Sequence, residues 1–539
     1  MKIFNNIILT LSFFILTVLP QVVFYALNDA LTLQIPLSSY LGLFIILFIF
    51  SFIRISFWRY LAMGFILILS FFQMAHLEYF GLPVHPSEFW LLFAEISEIT
   101  GTLKEDLSAF LKPVLLVIPS LILLWKLNKK FQPKISSRFL HFLFIFYFIY
   151  NPIRTFITGN TWGRQPSTQE FDGMNLYLST SYFLGKILPY KLSQKKLNTK
   201  TNPKITFNFH KPIKRNIILV QAESLSSNHL SLFGYKRKTT PFLESLTTDT
   251  NFIYRRGVSS GVSTDVAIAF FMNNTFGLSG VNDVYSGKNC LFNLAKKAEF
   301  ETYFYSTQSS QQLRYIANSI CPKFIDHFKS LENIDPNIKD ENAADDHKLL
   351  DFLKEVPLEE GNKFITLHQR GSHSPYNLRF NKKSDVFSGN TGTGKDDTVN
   401  FYDNSVYHND LFFKELISYI KTLRTPTTII IVSDHGEGMG ENGVWGHGML
   451  KKESFEIPIL IYTQNDDLIK EKSLALQTNP THLNASLLIS YALGFESNLE
   501  LEKTPKIYQI LGNDLDGFAG FLELEFKDGK LEKVKPKNL

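Results

Sequence analysis

The sequence predicts two folds in one chain: an N-terminal polytopic α-helical membrane domain with five spans, and a C-terminal α/β domain with a mainly parallel sheet covered by helices on both faces. Long apolar stretches without charge predict the first fold, because about 20 apolar residues in a helix cross a hydrocarbon core. Short β-rich apolar runs that alternate with helix-like segments predict the second. The chain of 539 residues is long enough for both.

Five stretches near the N-terminus have the length and composition of membrane-spanning helices. They lie at residues 3–28, 30–53, 60–77, 107–125 and 139–159. The first two contain no charged residue, and in the third only His76 could carry a charge. A cleaved signal peptide is the alternative for residues 1–26, but four further spans favour a retained first helix.

The charges of the loops predict the orientation of these helices. The 126–138 connection holds five basic residues and no acid, and the 54–59 connection holds Arg54 and Arg59. The loops on the opposite side hold acidic residues instead, such as Asp29. Because basic loops stay in the cytoplasm, we expect a membrane protein with a cytoplasmic N-terminus and a C-terminal part outside the cytoplasm, which in a bacterium means the periplasm or the outer surface.

The segments between these two folds are less regular. In the second external loop, residues 85–96 ("HPSEFWLLFAEI") predict either a helix at the membrane interface or a short buried helix. Residues 160–215 are mixed and polar, which is typical of a bridge and tether. We therefore expect a membrane domain at 1–159, a bridging segment at 160–215 and a soluble domain at 216–539.

From residue 216 onward the pattern is that of a soluble α/β domain. Predicted strands lie at 216–221, 302–307, 363–368, 427–432 and 457–462. Helix-like segments such as 409–423 separate them. Continuous apolar strands that alternate with helices predict a mainly parallel sheet with both faces covered.

Composition excludes some partners and leaves others open. The net charge of +5 is small, and the basic residues cluster in the cytoplasmic loops and around 194–215, so we expect no nucleic-acid partner. Cys290 and Cys321 are the only cysteines, and in an oxidising compartment they could form one disulfide. Spacing alone does not show whether they meet.

Polar residues follow three of the predicted strands at their carboxyl ends. Glu223 follows 216–221, His373 follows 363–368, and Asp434 and His435 follow 427–432. Each residue alone is also explained by a helix cap or a turn. Ligands of parallel α/β sheets bind at this edge, and two oxygens with one nitrogen suit a divalent ion such as Zn²⁺ or Mn²⁺.

A hydroxyl group close to this edge would supply a nucleophile. In "SSGVSTDVAIAF" (259–270), Ser263 and Thr264 precede a helix-like run, whose N-terminus favours an anion such as a phosphoryl group. A bound metal would activate such an alcohol. A simple helix cap is the alternative, and spacing does not choose between the two hydroxyls.

The ordered motifs "QAES", "SLFGYKRKTTPFL", "SSGVSTDVA", "HQRGSHSPY", "YDNS" and "SDHGEGMGENGVWGHG" resemble those of the membrane-bound phosphoethanolamine transferases of the alkaline phosphatase and sulfatase superfamily. The resemblance implies five spans and a periplasmic, sulfatase-like catalytic domain. By position it implies the catalytic nucleophile Thr264, the metal ligands Glu223, Thr264, Asp434 and His435, and the substrate-binding residues His373, His447 and Asn289. Glu437 and Glu441 receive no role beyond shaping the loop.

The same resemblance implies a cofactor and partners. We expect one Zn²⁺, with a second possible and Mn²⁺ less favoured. Phosphatidylethanolamine is the expected donor, and a lipid or glycan of the membrane, favouring lipid A or lipopolysaccharide core, is the expected acceptor. Thr264 would carry the phosphoethanolamine between them.

Four other classes of protein share parts of this pattern. A phosphoglycerol transferase and a metal-dependent phosphodiesterase use the same chemistry and stay open. A sulfatase is disfavoured because no C/S-x-P-x-R stretch surrounds Thr264. The non-enzymatic alternative is a membrane-tethered metal-binding scaffold. Such a scaffold would not require a ligand-type residue at each of the four positions, whereas this chain has one at all four. The acceptor, the oligomeric state and the arrangement of the domains stay open.

Overall fold

A computed structural model describes the chain at residues 3–27, 37–80, 83–84, 86, 88–89, 108–158, 171–193, 204–210, 214–310, 312–314, 316–317, 319–338, 344–387, 394–515 and 517–537. The chain divides into two compact units. The first comprises residues 1–195 with 440–445, and the second comprises residues 196–439 with 446–539.

Within the first unit, the described part of residues 1–195 is mainly helical. Its helices are α1 (Phe4–Ala26), α2 (Leu37–Ser51), α3 (Ser56–Phe80), α4 (Ser108–Lys130), α5 (Leu140–Thr158), α6 (Asp172–Tyr182) and α7 (Leu188–Ser193). Four of them, α1, α3, α4 and α5, are long and apolar enough to cross a membrane, and α2 is a shorter apolar helix. The predicted set of apolar N-terminal helices is confirmed, with four to five spans. Most of the loop helix predicted at 85–96 lies outside the described residues.

Helix α6 lies within the segment that the sequence predicts to be a bridge. Gly173 lets it approach α3 closely, because a Cβ there would clash with the carbonyl oxygen of Ile66. The Gly173 N–H also donates to Ser70 Oγ at 3.0 Å. This helix therefore belongs to the helical unit. The predicted boundaries at 159 and 215 stay a prediction.

The second unit is built on β-strands. They are β1 (Phe207–Phe209), β2 (Asn216–Ala222), β3 (Phe252–Val258), β4 (Glu301–Ser306), β5 (His327–Lys329), β6 (Lys363–His368), β7 (Thr427–Ser433), β8 (Gly438–Met439), β9 (Trp445–Gly446), β10 (Glu456–Gln464), β11 (Phe495–Ser497), β12 (Ile507–Leu511), β13 (Phe521–Lys527) and β14 (Lys530–Lys537). The central sheet has seven strands in the order β3-β10-β7-β2-β6-β4-β5. A separate antiparallel sheet has the order β12-β13-β14.

The mainly parallel sheet predicted from the sequence is confirmed. Strand β2 pairs in parallel with β6 and β7, and β4 pairs in parallel with β5 and β6. Strand β10 runs antiparallel to both of its neighbours, β3 and β7. The five predicted strands are present in the central sheet, and its other two strands, β3 and β5, were not predicted. Three consecutive residues in the middle of β3 are only partly buried, so it lacks a continuous apolar run.

The helices of the second unit are α8 (Pro241–Ser245), α9 (Thr264–Met272), α10 (Gly277–Ser286), α11 (Leu291–Lys297), α12 (Leu331–Ile334), α13 (Lys348–Lys354), α14 (Gly394–Ile420), α15 (Lys452–Phe455), α16 (Asp467–Leu474) and α17 (His482–Ala492). They cover both faces of the central sheet. Ile217 and Leu219 of β2 pack in one core with residues of α9, α11 and α17. Ile218 and Val220 pack in another with residues of α13 and α14. This alternation is the period of a strand buried on both sides.

Both cysteines lie in the second unit, and both are buried free thiols. The structure therefore contains no disulfide between Cys290 and Cys321.

Candidate active site

Two neighbouring strands bring the predicted metal ligands together. Ala222 at the end of β2 is paired in register with Ser433 at the end of β7. The chain then continues into Glu223 on one strand and into Asp434 and His435 on the other. Because the strands are parallel, their carboxyl ends meet at one edge, as the sequence analysis expected.

The Thr264 hydroxyl group lies against these ligands. Thr264 Oγ1 is 3.1 Å from Glu223 Oε1 and 3.2 Å from His435 Nε2. The hydroxyl of Ser263 turns elsewhere and donates to Asp265 Oδ1 at 2.7 Å. Of the two hydroxyls that the sequence left open, Thr264 is therefore the one at the ligand cluster.

Burial divides the cluster into a hidden part and an accessible part. Glu223, Asp434 and His435 are buried, whereas Thr264 is partly exposed at the first turn of α9. This arrangement suits a nucleophile, because the substrate has to reach the hydroxyl oxygen that reacts. The ligands beside that oxygen can stay buried.

The charges of the cluster are those of a cation site. Burial raises the pKa of Glu223 to about 8, and the Asp434 carboxylate contributes to that rise. Burial also raises the pKa of Asp434. Two carboxyl groups that disfavour ionisation together are stabilised when a cation lies between them.

The donor atoms also fit a metal ion. One ligand atom each from Glu223, Asp434 and His435 lies within 4.8 Å of the others. His435 Nδ1 lies 3.0 Å from the carbonyl oxygen of Gly436, which leaves Nε2 facing Thr264 and Glu223. A carbonyl that holds one ring nitrogen while the other faces the ligand set is typical of metal-binding histidines. Burial lowers the pKa of His435 to about 4, so its ring is neutral, as a ligand requires.

Residues that the sequence analysis did not select hold the carboxylates in place. Gln308 Nε2 donates to Glu223 Oε2 at 3.1 Å. The Ser224 N–H donates to Asp434 Oδ1 at 3.0 Å. Gln308 lies two residues beyond the end of β4, and this position at the carboxyl end of a parallel strand was the signal in the sequence that could have identified it.

A loop after β6 packs on the backbone of Glu223. The Ser372 N–H donates to the Glu223 carbonyl oxygen at 3.0 Å. Gly371 has a φ of +57°, and a Cβ there would lie 2.5 Å from the same oxygen. A residue with a Cβ at position 371 would displace the backbone of Glu223, so only glycine fits there.

Three imidazole rings lie in a row beside the ligand cluster. The ring centroids of His435 and His447 are 4.1 Å apart, and those of His447 and His373 are 5.5 Å apart. His447 Nδ1 lies 2.7 Å from Glu437 Oε2, and Tyr376 donates to the other oxygen of Glu437. Burial alone would lower the pKa of His447, but the nearby carboxylates together outweigh it, Glu437 first and then Glu223 and Asp434, and raise the pKa to about 9.

Glu437 therefore has a position in the site that the sequence analysis did not assign. His435, Glu437 and His447 also form a second group of donor atoms within 4.8 Å of one another. Their spacing in the chain offered no signal, because turns and the two short strands β8 and β9 lie between Glu437 and His447.

Asn289 lies in other surroundings. Its Nδ2 donates to the carbonyl oxygen of Ile205 at 3.1 Å, and its own carbonyl accepts from Asn274 at 2.8 Å. The structure thus brings six of the seven predicted residues together, and Asn289 is bonded to residues outside that set. Its role in phosphate binding stays a prediction.

The sheet, the ligand cluster and the threonine define a class of protein. The sulfatase family profile matches residues 215–484, half of the chain, so the chain belongs to the sulfatase family. The family resemblance predicted from the ordered motifs is confirmed.

Particular relatives are similar over a smaller part of their length. The chain is 27% identical over 292 residues to phosphoethanolamine transferase EptA of Helicobacter pylori, covering 52% of this chain and 53% of that one. It is 24% identical over 280 residues to a Kdo(2)-lipid A phosphoethanolamine 7''-transferase of Salmonella typhimurium, covering 49% and 48%. In these matches the chain spans about half the length of the relatives.

One solved structure is similar along almost the whole chain. It is the integral membrane lipooligosaccharide phosphoethanolamine transferase A (EptA) of Neisseria meningitidis, with a TM-score of 0.58 and 18% identity. The similarity covers 93% of this chain and 96% of that one. It shows the fold, an N-terminal helical part followed by a sulfatase-like domain.

Proposed function

We propose that this protein transfers phosphoethanolamine from phosphatidylethanolamine to a bacterial envelope acceptor, with lipid A or lipopolysaccharide core favoured, through a covalent intermediate on Thr264. The observation that carries the proposal is the position of Thr264 Oγ1, which is partly exposed and lies within 3.2 Å of both Glu223 and His435. The ordered motifs and the names of the relatives support the choice of the transferred group.

Glu223, Thr264, Asp434 and His435 would hold a zinc ion. Two carboxylates, an imidazole and a hydroxyl suit Zn²⁺, and the imidazole makes Mn²⁺ less favoured. When bound, the ion supplies positive charge that lowers the pKa of the Thr264 hydroxyl group. His373 and His447 lie where a second ion or the substrate phosphate would bind.

In the first step Thr264 Oγ1 attacks the phosphorus of the donor. The Thr264 hydroxyl proton passes to solvent on the exposed side of Thr264 before the attack, because Glu223 would hold the ion and cannot also take a proton. As the bond from Oγ1 to phosphorus forms, the bond from phosphorus to the diacylglycerol oxygen breaks. The imidazolium of His447 is placed to protonate that oxygen and to offset charge on the phosphoryl group.

In the second step the neutral His447 imidazole takes the proton of an acceptor hydroxyl or phosphate, whose oxygen attacks the same phosphorus. The bond from phosphorus to Thr264 Oγ1 breaks, which frees Thr264 and restores the His447 imidazolium. The reaction needs a site that a lipid donor can reach. Four apolar helices that are long enough to span a membrane support a multi-pass protein. We propose that the N-terminus is cytoplasmic, that the helices lie in the inner membrane and that the sulfatase-like domain is periplasmic.

The test compares envelope lipids and glycans by mass spectrometry from cells that express the wild-type protein, Thr264→Ala or Ser263→Ala. Ser263 is the matched control, because its hydroxyl neighbours Thr264 in sequence but bonds to Asp265. We expect added phosphoethanolamine with the wild type and with Ser263→Ala, and none with Thr264→Ala.

Other outcomes would contradict the proposal in different ways. Transfer that persists in Thr264→Ala would contradict the nucleophile. Added phosphoglycerol would identify a phosphoglycerol transferase, and a released head group without a modified acceptor would identify a phosphodiesterase. A zinc-loaded protein without either reaction would indicate a binding scaffold.

A further inference from the structure

A third group of side chains that could hold a metal ion is formed by residues outside the active site. One ligand atom each from Asp345, His347 and His408 lies within 4.8 Å of the others. Asp345 Oδ1 is 3.2 Å from His408 Nε2, and the two imidazole ring centroids are 4.6 Å apart. Two imidazoles and one carboxylate are the ligand types that zinc prefers.

Each histidine is held from outside the cluster through its Nδ1 atom. His408 Nδ1 lies 2.8 Å from Ser384 Oγ, and His347 Nδ1 lies 3.3 Å from Glu415 Oε2. An outer partner on one ring nitrogen orients the other into the cluster, where His408 Nε2 faces Asp345 and His347 Nε2 lies 3.5 Å from the carbonyl oxygen of His408. When His408 Nδ1 donates to Ser384, the lone pair of Nε2 faces Asp345 Oδ1, and a cation between these electron-rich atoms stabilises both.

Burial gives the cluster a closed side and an open side. The side chain of His408 is 7% exposed, whereas those of Asp345 and His347 are 38% and 24% exposed. An ion can therefore enter from solvent and keep a water molecule as a further ligand. The carboxylate of Glu415, beside His347, is paired with Lys354 Nζ at 3.0 Å, so the negative charge that favours a cation is that of Asp345.

The cluster joins two elements that also support the active site. Asp345 and His347 precede α13, and His408 lies on α14. The neighbouring residues of each reach the loop after β6. Asp346 accepts from the backbone N–H groups of Arg370 and Gly371 at 2.8 Å each, and Asn409 donates to Ser372 Oγ at 3.1 Å.

We propose that Asp345, His347 and His408 form a second metal site, for a divalent transition-metal ion of the zinc type, that fastens the segment before α13 to α14. The site is structural. By fixing Asp346 and Asn409 it holds the Arg370–Ser372 loop, which packs on the backbone of Glu223. The assignment rests on its own ligands and does not depend on the reaction proposed above.

The test measures bound zinc in the full-length protein in detergent. The protein is stripped with a chelator, reloaded with Zn²⁺ and analysed by inductively coupled plasma mass spectrometry. The variants are His408→Gln, Glu223→Gln, both together, and the control His327→Gln. His327 is matched because it is an exposed histidine paired with a carboxylate, with Nε2 2.8 Å from Glu301 Oε1.

We expect His408→Gln to lose about one zinc ion per chain, whether or not Glu223 is also replaced. We expect His327→Gln to hold as much zinc as the wild type. Equal zinc in His408→Gln and in the wild type would overturn the proposal. If His408→Gln does not fold, the zinc content of Asp345→Asn tests the proposal with the same two outcomes. The Asn side chain keeps the oxygen that accepts from the His347 N–H.

Cobalt supplies an independent measurement. Added to the Glu223→Gln protein, Co²⁺ bound at this site gives visible d–d absorption of a low-symmetry complex. We expect part of that absorption to disappear when Asp345→Asn is added. An unchanged spectrum would show that Asp345 is not a ligand, and the proposal would be wrong.

Discussion

Glu437 Oε2 lies 2.7 Å from His447 Nδ1, and the His447 ring stacks on His435. The carboxylate is buried, whereas the imidazole is partly exposed. This ion pair places a positive charge next to the metal ligands and close to Thr264. A cation at that position is suited to a phosphoryl group that gains negative charge during transfer.

Replacing Glu437 should change the pH dependence of transfer. Burial lowers the pKa of His447, but Glu437, with smaller contributions from Glu223 and Asp434, raises it to about 9. The imidazole therefore stays charged at neutral pH and loses its proton as pH rises through that value. In Glu437→Gln the pKa of His447 falls. We expect the basic limb of the profile of kcat/KM against pH to move to lower pH.

The control for this prediction is Glu441→Gln, which removes a carboxylate from the same loop. Glu441 is partly exposed at a short turn, Glu441–Gly443, whereas the buried carboxylate that holds His447 Nδ1 is that of Glu437. The pH profile of Glu441→Gln should match that of the wild type. A basic limb at the same pH in Glu437→Gln and the wild type would contradict the role of the ion pair.

Zinc affinity should rise with pH. Burial and the Asp434 carboxylate raise the pKa of Glu223 to about 8 in the metal-free protein, so Glu223 is protonated below that pH and must release its proton to bind the ion. His435 does not contribute, because its pKa is lowered to about 4. We expect the zinc Kd to fall about tenfold per pH unit between about pH 6 and about pH 8.

Competition with a chelating dye measures this dependence. Above the pKa of Glu223 the slope should disappear, because the carboxylate is then ionised before the ion binds. An affinity that does not change between about pH 6 and about pH 8 would show that Glu223 is ionised without the metal.

Gln308 should tune the affinity for zinc without binding the ion. Its amide donates to Glu223 Oε2, which leaves Oε1 to face Thr264. Gln308→Leu removes this bond with little change in volume. We expect zinc affinity to fall about 10- to 100-fold, as for other residues that orient metal ligands.

Gln312→Leu is the matched control, because Gln312 is also buried but accepts from the Ser309 N–H. Its zinc affinity should stay close to that of the wild type. Equal affinities of Gln308→Leu and the wild type would mean that Glu223 keeps its orientation without the amide.

Gly371→Ala should impair both stability and zinc binding. The residue has a φ of +57°, and its new Cβ would lie 2.5 Å from the Glu223 carbonyl oxygen. The left-handed backbone alone costs about 1–2 kcal/mol for alanine. The clash adds to this cost and displaces Glu223.

Gly234→Ala separates the two effects. Gly234 has a φ of +94°, but no atom lies within 4 Å of the position that a Cβ would take there. The thermal unfolding temperature and the zinc content are measured for Gly371→Ala and for Gly234→Ala. We expect the control to lose some stability and keep its zinc, and equal zinc content in the two variants would contradict the steric argument.

The central sheet was predictable where each strand is a continuous apolar run. Strands β2 and β7 are fully buried and were found, because parallel strands covered on both faces carry no polar alternation. Strand β5 has three residues, two of them exposed, and offers no such signal. The direction of β10 was not predictable, since an apolar run has the same composition in either direction.

The sequence by itself determined which residues end the strands, and therefore that Glu223, Asp434 and His435 share one edge. Spacing did not choose between Ser263 and Thr264, the motif resemblance chose Thr264, and the tertiary structure places its hydroxyl group at the cluster. The tertiary structure alone decided that Glu437 holds His447 and that Asp345, His347 and His408 meet. The physical reason is how far apart the contributing residues lie along the chain. Strand order follows from local hydrophobic patterns, whereas a hydrogen bond or a metal site depends on side chains from separate segments that meet only when the whole domain has packed.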